Sequence, residues 1–270
     1  MLRSLWIAKS GLDAQQTNLD VITNNLANNQ TIAFKKARPI FSDLLYQTLR
    51  SPAAVGSTVI PVGLQVGAGS RISGTQRINT PGALNVSQNA LDVSLSNVGY
   101  FMVRTPSGDI AYTRSGNFQT APEGDTGLVR LTDAEGNTIL NINGDPVTFP
   151  ERMSEIVIGL NGEVSGRLGI AGANNLVPPG TPIAHVLFAN PNGLATAGGG
   201  LYYQTSASGE PSVGTPNTGG RAGVVQYYTE QSNVNVAEEL VSLIAAQRAY
   251  EVTTRSVSAS DQILQKLGQL

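Results

Sequence analysis

The sequence has no cysteine, and only one of its 270 residues is a histidine. Without cysteine the chain has no disulfide framework, thiolate metal site or cysteine nucleophile. The lone histidine, His185, has no second histidine or cysteine with which to hold a metal or build a catalytic pair. It lies in the apolar run 183–188, whose alternation predicts that it lies on the polar face of a strand. We interpret it as a structural residue.

Charge is also scarce. Only 13% of the residues are charged, and 17 Lys and Arg against 19 Asp and Glu give a net charge of −2. Ordinary soluble domains have roughly 25% charged residues, and phosphate backbones are bound by clustered positive charge. We therefore expect no nucleic-acid partner. No stretch approaches the ~18 apolar residues of a membrane span, so no membrane insertion is expected.

The first residues do not have the pattern of a secretory signal. Lys9 and Asp13 interrupt the apolar run, and no small-residue cleavage site follows. The sequence predicts a chain without a cleaved signal peptide.

Glycine and proline are concentrated in the middle of the chain. Residues 12–38 and 224–267 contain neither, although the sequence has 30 Gly and 14 Pro. In a helix these residues cost about 1 and 3 kcal/mol relative to Ala. The sequence predicts a helix at each end and a middle divided by turns.

Apolar residues recur every seven positions in both terminal segments, which is the pattern of coiled-coil helices. The first series consists of Leu5, Leu12, Leu19 and Leu26, and Ile22 follows Leu19 by three residues. The second is joined by Leu240 and consists of Val236, Leu243, Tyr250, Val257 and Leu264. Its alternate positions Gln247, Thr254 and Asp261 are polar, so its apolar stripe is narrower.

Polar residues mark the ends of these helices. Asn235 and Glu238 resemble a capping box before the last helix. Asn24, Asn25, Asn28 and Asn29 cluster where the first helix should end, and Asn tolerates the left-handed conformation of a C-terminal cap.

The middle of the chain is predicted to form strands, because short apolar runs alternate with turn residues such as Asn143-Gly144 and Asn161-Gly162. The runs are 91–95, 100–103, 110–112, 128–131, 156–160, 183–188, 201–203 and 224–228. Segments 51–61, 193–200 and 206–223 are expected to be loops.

The predicted fold class is therefore α+β and mostly β, with a discontinuous terminal-helix coiled-coil domain and an antiparallel all-β middle domain. We expect a helical core domain at 1–34 and 232–270, an extended or β connecting region at 35–84 and 206–231, and an outer β-domain at 85–205.

Motifs for catalysis or cofactor binding are not evident. Ile72 occupies the third glycine position of a G-x-G-x-x-G pattern that begins at Gly67. Residues 133–137 have calcium-loop side chains but lack the length of such a loop, and a hairpin turn is favoured. The sequence alone does not decide whether two carboxylates form a pair for glycoside hydrolysis, although no pattern indicates one. The basic cluster Lys35, Lys36 and Arg38 indicates a solvated bend or, alternatively, an interface. We expect no enzyme, metal or cofactor.

Two arrangements of the terminal helices are possible. They could pair within one chain as an antiparallel hairpin, or their apolar stripes could pack against other copies. The low charge and the half-polar second stripe favour assembly. The candidate assembly interface consists of Leu5, Leu12, Leu19, Ile22, Asn25, Leu26, Asn28, Val236, Leu240, Leu243, Tyr250, Val257 and Leu264.

Several segments resemble the bacterial flagellar rod and hook family. Residues 5–38, LWIAKSGLDAQQTNLDVITNNLANNQTIAFKKAR, are similar to its N-terminal signature, and residues 232–267, SNVNVAEELVSLIAAQRAYEVTTRSVSASDQILQKL, to its C-terminal helix. Residues 92–95, 99–101 and 112–118 resemble its β-domain motifs. One departure is Ala33, which occupies a position where the family usually has Gly. If the backbone there has positive φ, Ala33 would cost roughly 1 kcal/mol.

The resemblance implies a non-enzymatic subunit that polymerises with itself into a hollow helical shaft. That shaft would cross the periplasm, transmit torque to the hook and carry the export channel. The implied partners are neighbouring proximal rod and hook proteins, the surrounding P- and L-ring proteins and the flagellar export apparatus. A proximal rod or hook-type subunit is an alternative, and a coiled-coil-ended fibre or adhesin is a more remote one.

Overall fold

The structure is a computed structural model that describes residues 2–50, 53–55, 58–60, 63–124, 127–168, 176–177 and 180–267. The chain forms two compact units. The helical unit consists of Met1–Ala27, Ala37–Ile78 and Asn235–Leu270, and the β unit consists of Asn28–Lys36 and Asn79–Val234. The three-part domain division expected from the sequence stays a prediction.

Two long helices confirm the prediction for the chain ends. Helix α1 spans Leu2–Ala27 and helix α2 spans Val236–Leu267. Asn235 caps α2, because its side-chain oxygen accepts a hydrogen bond from the amide of Ala237 at 3.1 Å. The helices pack antiparallel, since Asn25 contacts Glu239 and Gly11 faces Thr253. The intrachain hairpin is thus present in the single chain.

A long antiparallel hairpin, which we call the arm, belongs to the helical unit. Its strands are β1 Ala37–Asp43, β2 Tyr46–Arg50, β3 Ala53–Val55, β4 Thr58–Ile60, β5 Leu64–Gly67 and β6 Ser70–Arg77. They pair as β1 with β6, β2 with β5, and β3 with β4. The expectation of a loop over 51–61 is wrong for 53–55 and 58–60, because backbone pairing between Ala53 and Ile60 extends the hairpin. Arg3 of α1 holds the arm by donating to Gln47 and to the carbonyl oxygen of Val66, both at 2.8 Å.

The β unit contains short strands joined mostly by tight turns, as the alternation of apolar runs and turn residues predicts. They are β7 Leu84–Val86, β8 Val93–Leu95, β9 Tyr100–Arg104, β10 Ile110–Thr113, β11 Gln119–Pro122, β12 Leu128–Thr132, β13 Thr138–Ile139, β14 Thr148–Pro150, β15 Met153–Ile158, β16 Val164–Leu168, β17 Leu176–Val177, β18 His185–Leu187, β19 Ala195–Gly198, β20 Leu201–Tyr203, β21 Ser212–Gly214, β22 Val224–Gln226 and β23 Tyr228–Glu230. Each of the eight predicted runs contains or overlaps a strand.

All described strand pairs are antiparallel. The largest sheet has the order β11-β12-β13-β9-β10-β20-β19, and β14, β18 and β21 are attached to it. Smaller sheets are β15-β16-β17, β22-β8 and β23-β7. The predicted α+β, mostly β fold is confirmed.

Two apolar clusters form the core of the β unit. In the larger one, the rings of Phe101 and Phe118 meet edge to face at 5.3 Å, and both are fully buried. In the second, Tyr112 and Phe188 meet edge to face at 4.8 Å. Phe101 and Tyr100 are neighbours in β9 but belong to different clusters, because successive strand residues point to opposite faces of the sheet. Both faces of β9 are therefore covered.

Three further expectations need correction. The segments 193–200 and 206–223 are not entirely loops, because β19 and β21 lie within them. His185 does not lie on a polar face. It is fully buried in β18, which pairs with β9 on one side and β21 on the other.

Candidate functional site

The predicted apolar stripe of α1 faces the interior of the helical unit. Ile22 is buried, and the four leucines of the heptad series are partly buried: Leu5, Leu12, Leu19 and Leu26. Trp6 lies on the outer side of the helix with 68% of its surface exposed, and the amino group of Lys9 is 5.5 Å from the centre of its ring. The outer side of α1 therefore presents an aromatic ring paired with a cation.

The inner face of α2, which packs against α1, differs in part from the predicted stripe. It includes the expected Leu243 and Val257, which are half-buried. Its alternate positions are Glu239, Ala246, Thr253 and Ser260, whereas the predicted positions 240, 247 and 254 are exposed. The side chain of Asp261 lies outside the described part of the chain. Spacings of three and four lie on the same side of a helix, and the small residues Ala246 and Thr253 suit a close approach to Gly11. The side chain of Leu264 lies outside the described part of the chain.

The outer face of α2 presents apolar side chains to solvent. It consists of Leu240, Val241, Ile244, Val252 and Ile263. Val241 and Val252 are 69% and 66% exposed. The predicted stripe residues Val236 and Tyr250 are also exposed, each at 37%. A single chain therefore leaves a row of aliphatic residues uncovered along this helix, a feature that marks interaction surfaces.

The arm is a second surface rich in exposed apolar residues. Leu45 is 89% exposed, and other large side chains of the described arm are more than two-fifths exposed: Ile40, Phe41, Tyr46, Leu49 and Leu64. The sequence did not mark these residues as a group, because they occur as short clusters such as Ile40-Phe41 and Leu45-Tyr46 without a helical or strand period.

The asparagine cluster after α1 acts differently from the prediction. None of Asn24, Asn25, Asn28 and Asn29 has positive φ, so the expected left-handed cap is wrong. Asn25 is buried, and its amide donates to the carbonyl of Ala37 at 2.8 Å and accepts from the amide of Ala37 at 3.0 Å. Asn28 accepts a hydrogen bond from the Thr31 hydroxyl at 3.1 Å. Asn25 thus fixes the start of the arm against the end of α1.

The left-handed residue in this region is Ala33. Its φ is 58°, and its side chain is buried. Its amide donates to the carbonyl oxygen of Glu230 at 2.8 Å. Ala33 therefore adopts the left-handed backbone conformation that favours glycine.

A buried ionic cluster joins three distant parts of the β unit. The carboxylate of Glu230 accepts hydrogen bonds from the amino group of Lys35 and from Nε of Arg114, the latter at 2.7 Å. All three side chains are at most 3% exposed. Burial lowers the pKa of Lys35, and the hydrogen bond with Glu230 opposes that change. The sequence alone does not predict this cluster: it indicates a solvated bend or, alternatively, an interface for Lys35, and it gives no signal for Glu230, the last residue of β23.

His185 is held in a neutral form. Burial and, to a smaller extent, the charge of Arg221 lower the pKa of His185 to about 4, although the nearby backbone of Val98 opposes the change. Among the described residues, no group of three or more His, Asp and Glu side chains is arranged to hold a metal ion. Neither described helix is long and apolar enough to cross a membrane.

Comparison with known proteins shows similarity along the whole chain. Residues 5–35 match the family model of flagella basal body rod proteins, 94–166 the D1 domain of the flagellar hook proteins FlgE, FlgF and FlgG, and 225–270 the C-terminal region of the rod FlgEFG proteins. The flagellar basal-body rod protein FlgG of Buchnera aphidicola from Acyrthosiphon pisum is 43% identical, with all of both chains covered. The FlgG proteins of Caulobacter vibrioides and Bacillus subtilis are 35% and 36% identical over all of this chain and 99% of theirs.

These similarities define a class of axial structural proteins, and the chain belongs to the flagellar basal-body rod family. The three relatives named above are FlgG chains, and the protein is a structural subunit of the distal rod, not an enzyme. It is a self-assembling component of the flagellar basal body that interacts with other parts of that structure. The alternatives of a proximal rod, hook-type or fibre subunit are not favoured.

Proposed function

We propose that the protein polymerises into a hollow helical shaft that transmits torque from the motor to the hook and carries the export channel. The observation that carries this proposal is the outer face of α2, an aliphatic row left exposed by the single chain. Identical subunits in head-to-tail contact through two different surfaces make an open filament when the rotation between neighbours does not close a ring. The arm and α2 are two such different surfaces.

The proposed interface modifies the residue set expected from the sequence. Val236, Leu240 and Tyr250 are exposed and available to another copy. Leu240 belongs to the outer face of α2, whereas Val236 and Tyr250 lie seven residues from Leu243 and therefore on the side of the inner face, with part of their surface uncovered. The half-buried residues of the set can contribute only their remaining surface: Leu5, Leu12, Leu19, Leu26, Asn28, Leu243 and Val257. Ile22 and Asn25 are buried by the chain itself, so we leave them out. Complete burial of an aliphatic side chain contributes about 1.5–3 kcal/mol, so several partly exposed ones per subunit are enough to drive association.

The partners follow from this role. In the proposal, the shaft contacts a proximal rod protein at one end and a hook protein at the other, and it turns inside the P- and L-ring proteins. The subunit reaches its place across the periplasm through the flagellar export apparatus. The support for these partners is membership of the rod family.

Electron microscopy of the purified full chain at increasing concentration tests the proposal. We expect straight hollow tubes for the natural sequence and for Val241→Ile, which keeps the outer face of α2 apolar. Val241→Asp and Val252→Asp should raise the concentration needed for tubes at least tenfold, because each places a charge in the proposed interface. Both positions are well exposed, so circular dichroism of the monomer should not change.

Other outcomes would contradict the proposal. Discrete trimers without filaments would favour a fibre or adhesin. Tubes that form equally well with Asp at both positions would show that the outer face of α2 is not the assembly surface.

A further inference from the structure

The backbone crosses from one unit to the other four times. On the side of the β unit, the four crossings involve only three segments of the chain. Segment 28–36 lies between two of the crossings, segment 79–83 follows the third, and segment 230–234 precedes the fourth. Any force carried along the backbone from one unit to the other must pass through these segments. How firmly they are attached to one another is therefore a mechanical property of the subunit.

The carboxylate of Glu230 binds all three segments at one point. One oxygen accepts from Lys35 of the first segment and, at 2.8 Å, from the amide of Gly82 of the second. The other oxygen accepts from Arg114, whose two remaining nitrogens each donate at 2.7 Å to the carbonyls of Gly99 and Asn97. Through Arg114 the three segments are connected to the start of β9.

Backbone contacts around the carboxylate reinforce this joint. The amide of Gln231 donates to Ala83 at 2.8 Å, and the amide of Asn233 donates to Phe34 at 3.3 Å. The carbonyl oxygen of Thr80 accepts from Lys35 at 2.9 Å and from the Asn233 side chain at 3.1 Å. A Cβ on Gly82 would lie 1.9 Å from the carbonyl oxygen of Gln231, so glycine is required for this close approach.

Removing a charged side chain has a larger effect on stability when the side chain is buried than when it is exposed. Removing one member of a buried, fully hydrogen-bonded group leaves its partners charged and without water. The β unit also contains an exposed pair, Glu155 and Arg167 at 3.2 Å, in which both side chains are more than half exposed. Exposed pairs contribute little, because water replaces the lost partner. The two pairs therefore make a matched comparison.

We infer that Glu230 is a positioning residue for the mechanical function: its carboxylate clamps the three crossing segments of the β unit so that load passes through a stiff joint. This inference rests on the proposed function of a torque-transmitting shaft. The clamp residues belong to the β unit and the outer face of α2 to the helical unit, so loss of the clamp should leave the ability to associate in place and reduce the stiffness of the product.

The experiment compares Glu230→Gln with Glu155→Gln in the full-length protein. Hydrogen exchange of the monomer, followed by mass spectrometry, should show at least tenfold faster exchange in segments 28–36 and 79–83 of Glu230→Gln. Exchange in β9 should stay within twofold of the natural protein. A purely global loss of stability would instead speed up exchange everywhere. Lys35→Met, which keeps the Arg114 contact, serves as a second variant if Glu230→Gln does not fold.

The stiffness of the assembled tubes is the second measurement. Electron micrographs should give a persistence length at least twofold shorter for Glu230→Gln and unchanged for Glu155→Gln. Unchanged exchange in the crossing segments, or faster exchange with unchanged stiffness, would overturn the inference. If the natural protein forms no tubes, the proposed function fails, and the exchange measurement still decides whether the clamp exists.

Discussion

A Cβ atom on Gly99 would lie 2.0 Å from Nε2 of His185, so the imidazole occupies the space that a side chain at position 99 would need. Gly99 has φ +147°, a backbone conformation that side-chain-bearing residues rarely adopt. The carbonyl oxygen of the same residue accepts from Arg114, a member of the Glu230 cluster. This glycine therefore connects the buried histidine to the charged joint of the β unit.

Gly99→Ala is expected to destabilise the protein. The added methyl group would force the buried His185 ring or the β9 backbone to move, and overpacking of this kind costs typically 1–3 kcal/mol. Urea unfolding of the full chain measures the change. Gly74→Ala is the matched control, because a Cβ there meets nothing within 4 Å. A Gly99→Ala protein as stable as the Gly74→Ala control would contradict the packing described for His185.

Acid is expected to weaken the β unit through His185. Its pKa is about 4 in the folded chain against 6.5 ordinarily, so the unfolded state binds a proton first as the pH falls. The neutral imidazole makes its full contribution to the free energy of unfolding above pH 6.5. That contribution falls by about 3 kcal/mol between pH 6.5 and pH 4, and it falls no further below pH 4. Denaturant unfolding across this range measures the decline, which should flatten in His185→Gln. Parallel curves for the two proteins would assign the acid sensitivity to other groups.

Ala33→Gly should stabilise the chain. Ala33 has φ 58°, and a non-glycine residue in the left-handed region costs about 1 kcal/mol or more, which loss of a buried methyl group partly offsets. We expect the free energy of unfolding to rise by up to about 1 kcal/mol. Ala111→Gly, at a buried strand position with ordinary φ, should lower it. If both substitutions lower stability, the left-handed strain at Ala33 is smaller than the packing it supports.

The terminal helices and the strands could be predicted because their signals are local. A stretch such as 236–267 without glycine or proline favours a helix whatever its neighbours are, and the Asn235 cap of α2 follows from a short-range hydrogen bond. Runs of apolar residues between Asn-Gly turns favour hairpins for the same reason. An extended or β region over 35–84 was expected, but the strands within 51–61 were not, because these residues have no alternating apolar pattern. Their pairing comes from the continued register of the two flanking segments.

The candidate site was predicted only in part. Heptad spacing identifies which side of a helix is apolar, but α2 carries apolar residues on two sides, and Leu243 and Ile244 are consecutive in the sequence. Packing against α1 decided that Leu243 turns inward and that Ile244 remains exposed. Spacing could not make that choice, because it depends on which face the partner helix can approach closely.

By itself the sequence determined the order of helix, strands and helix and the low charge. It also excluded chemistry that needs cysteine or a cluster of histidines. Only the tertiary structure decided that Lys35, Arg114 and Glu230 share one buried site, although 195 residues separate the first from the last. A local pattern cannot encode such a meeting, because burying three charges is favourable only when the fold brings all the partners together at once.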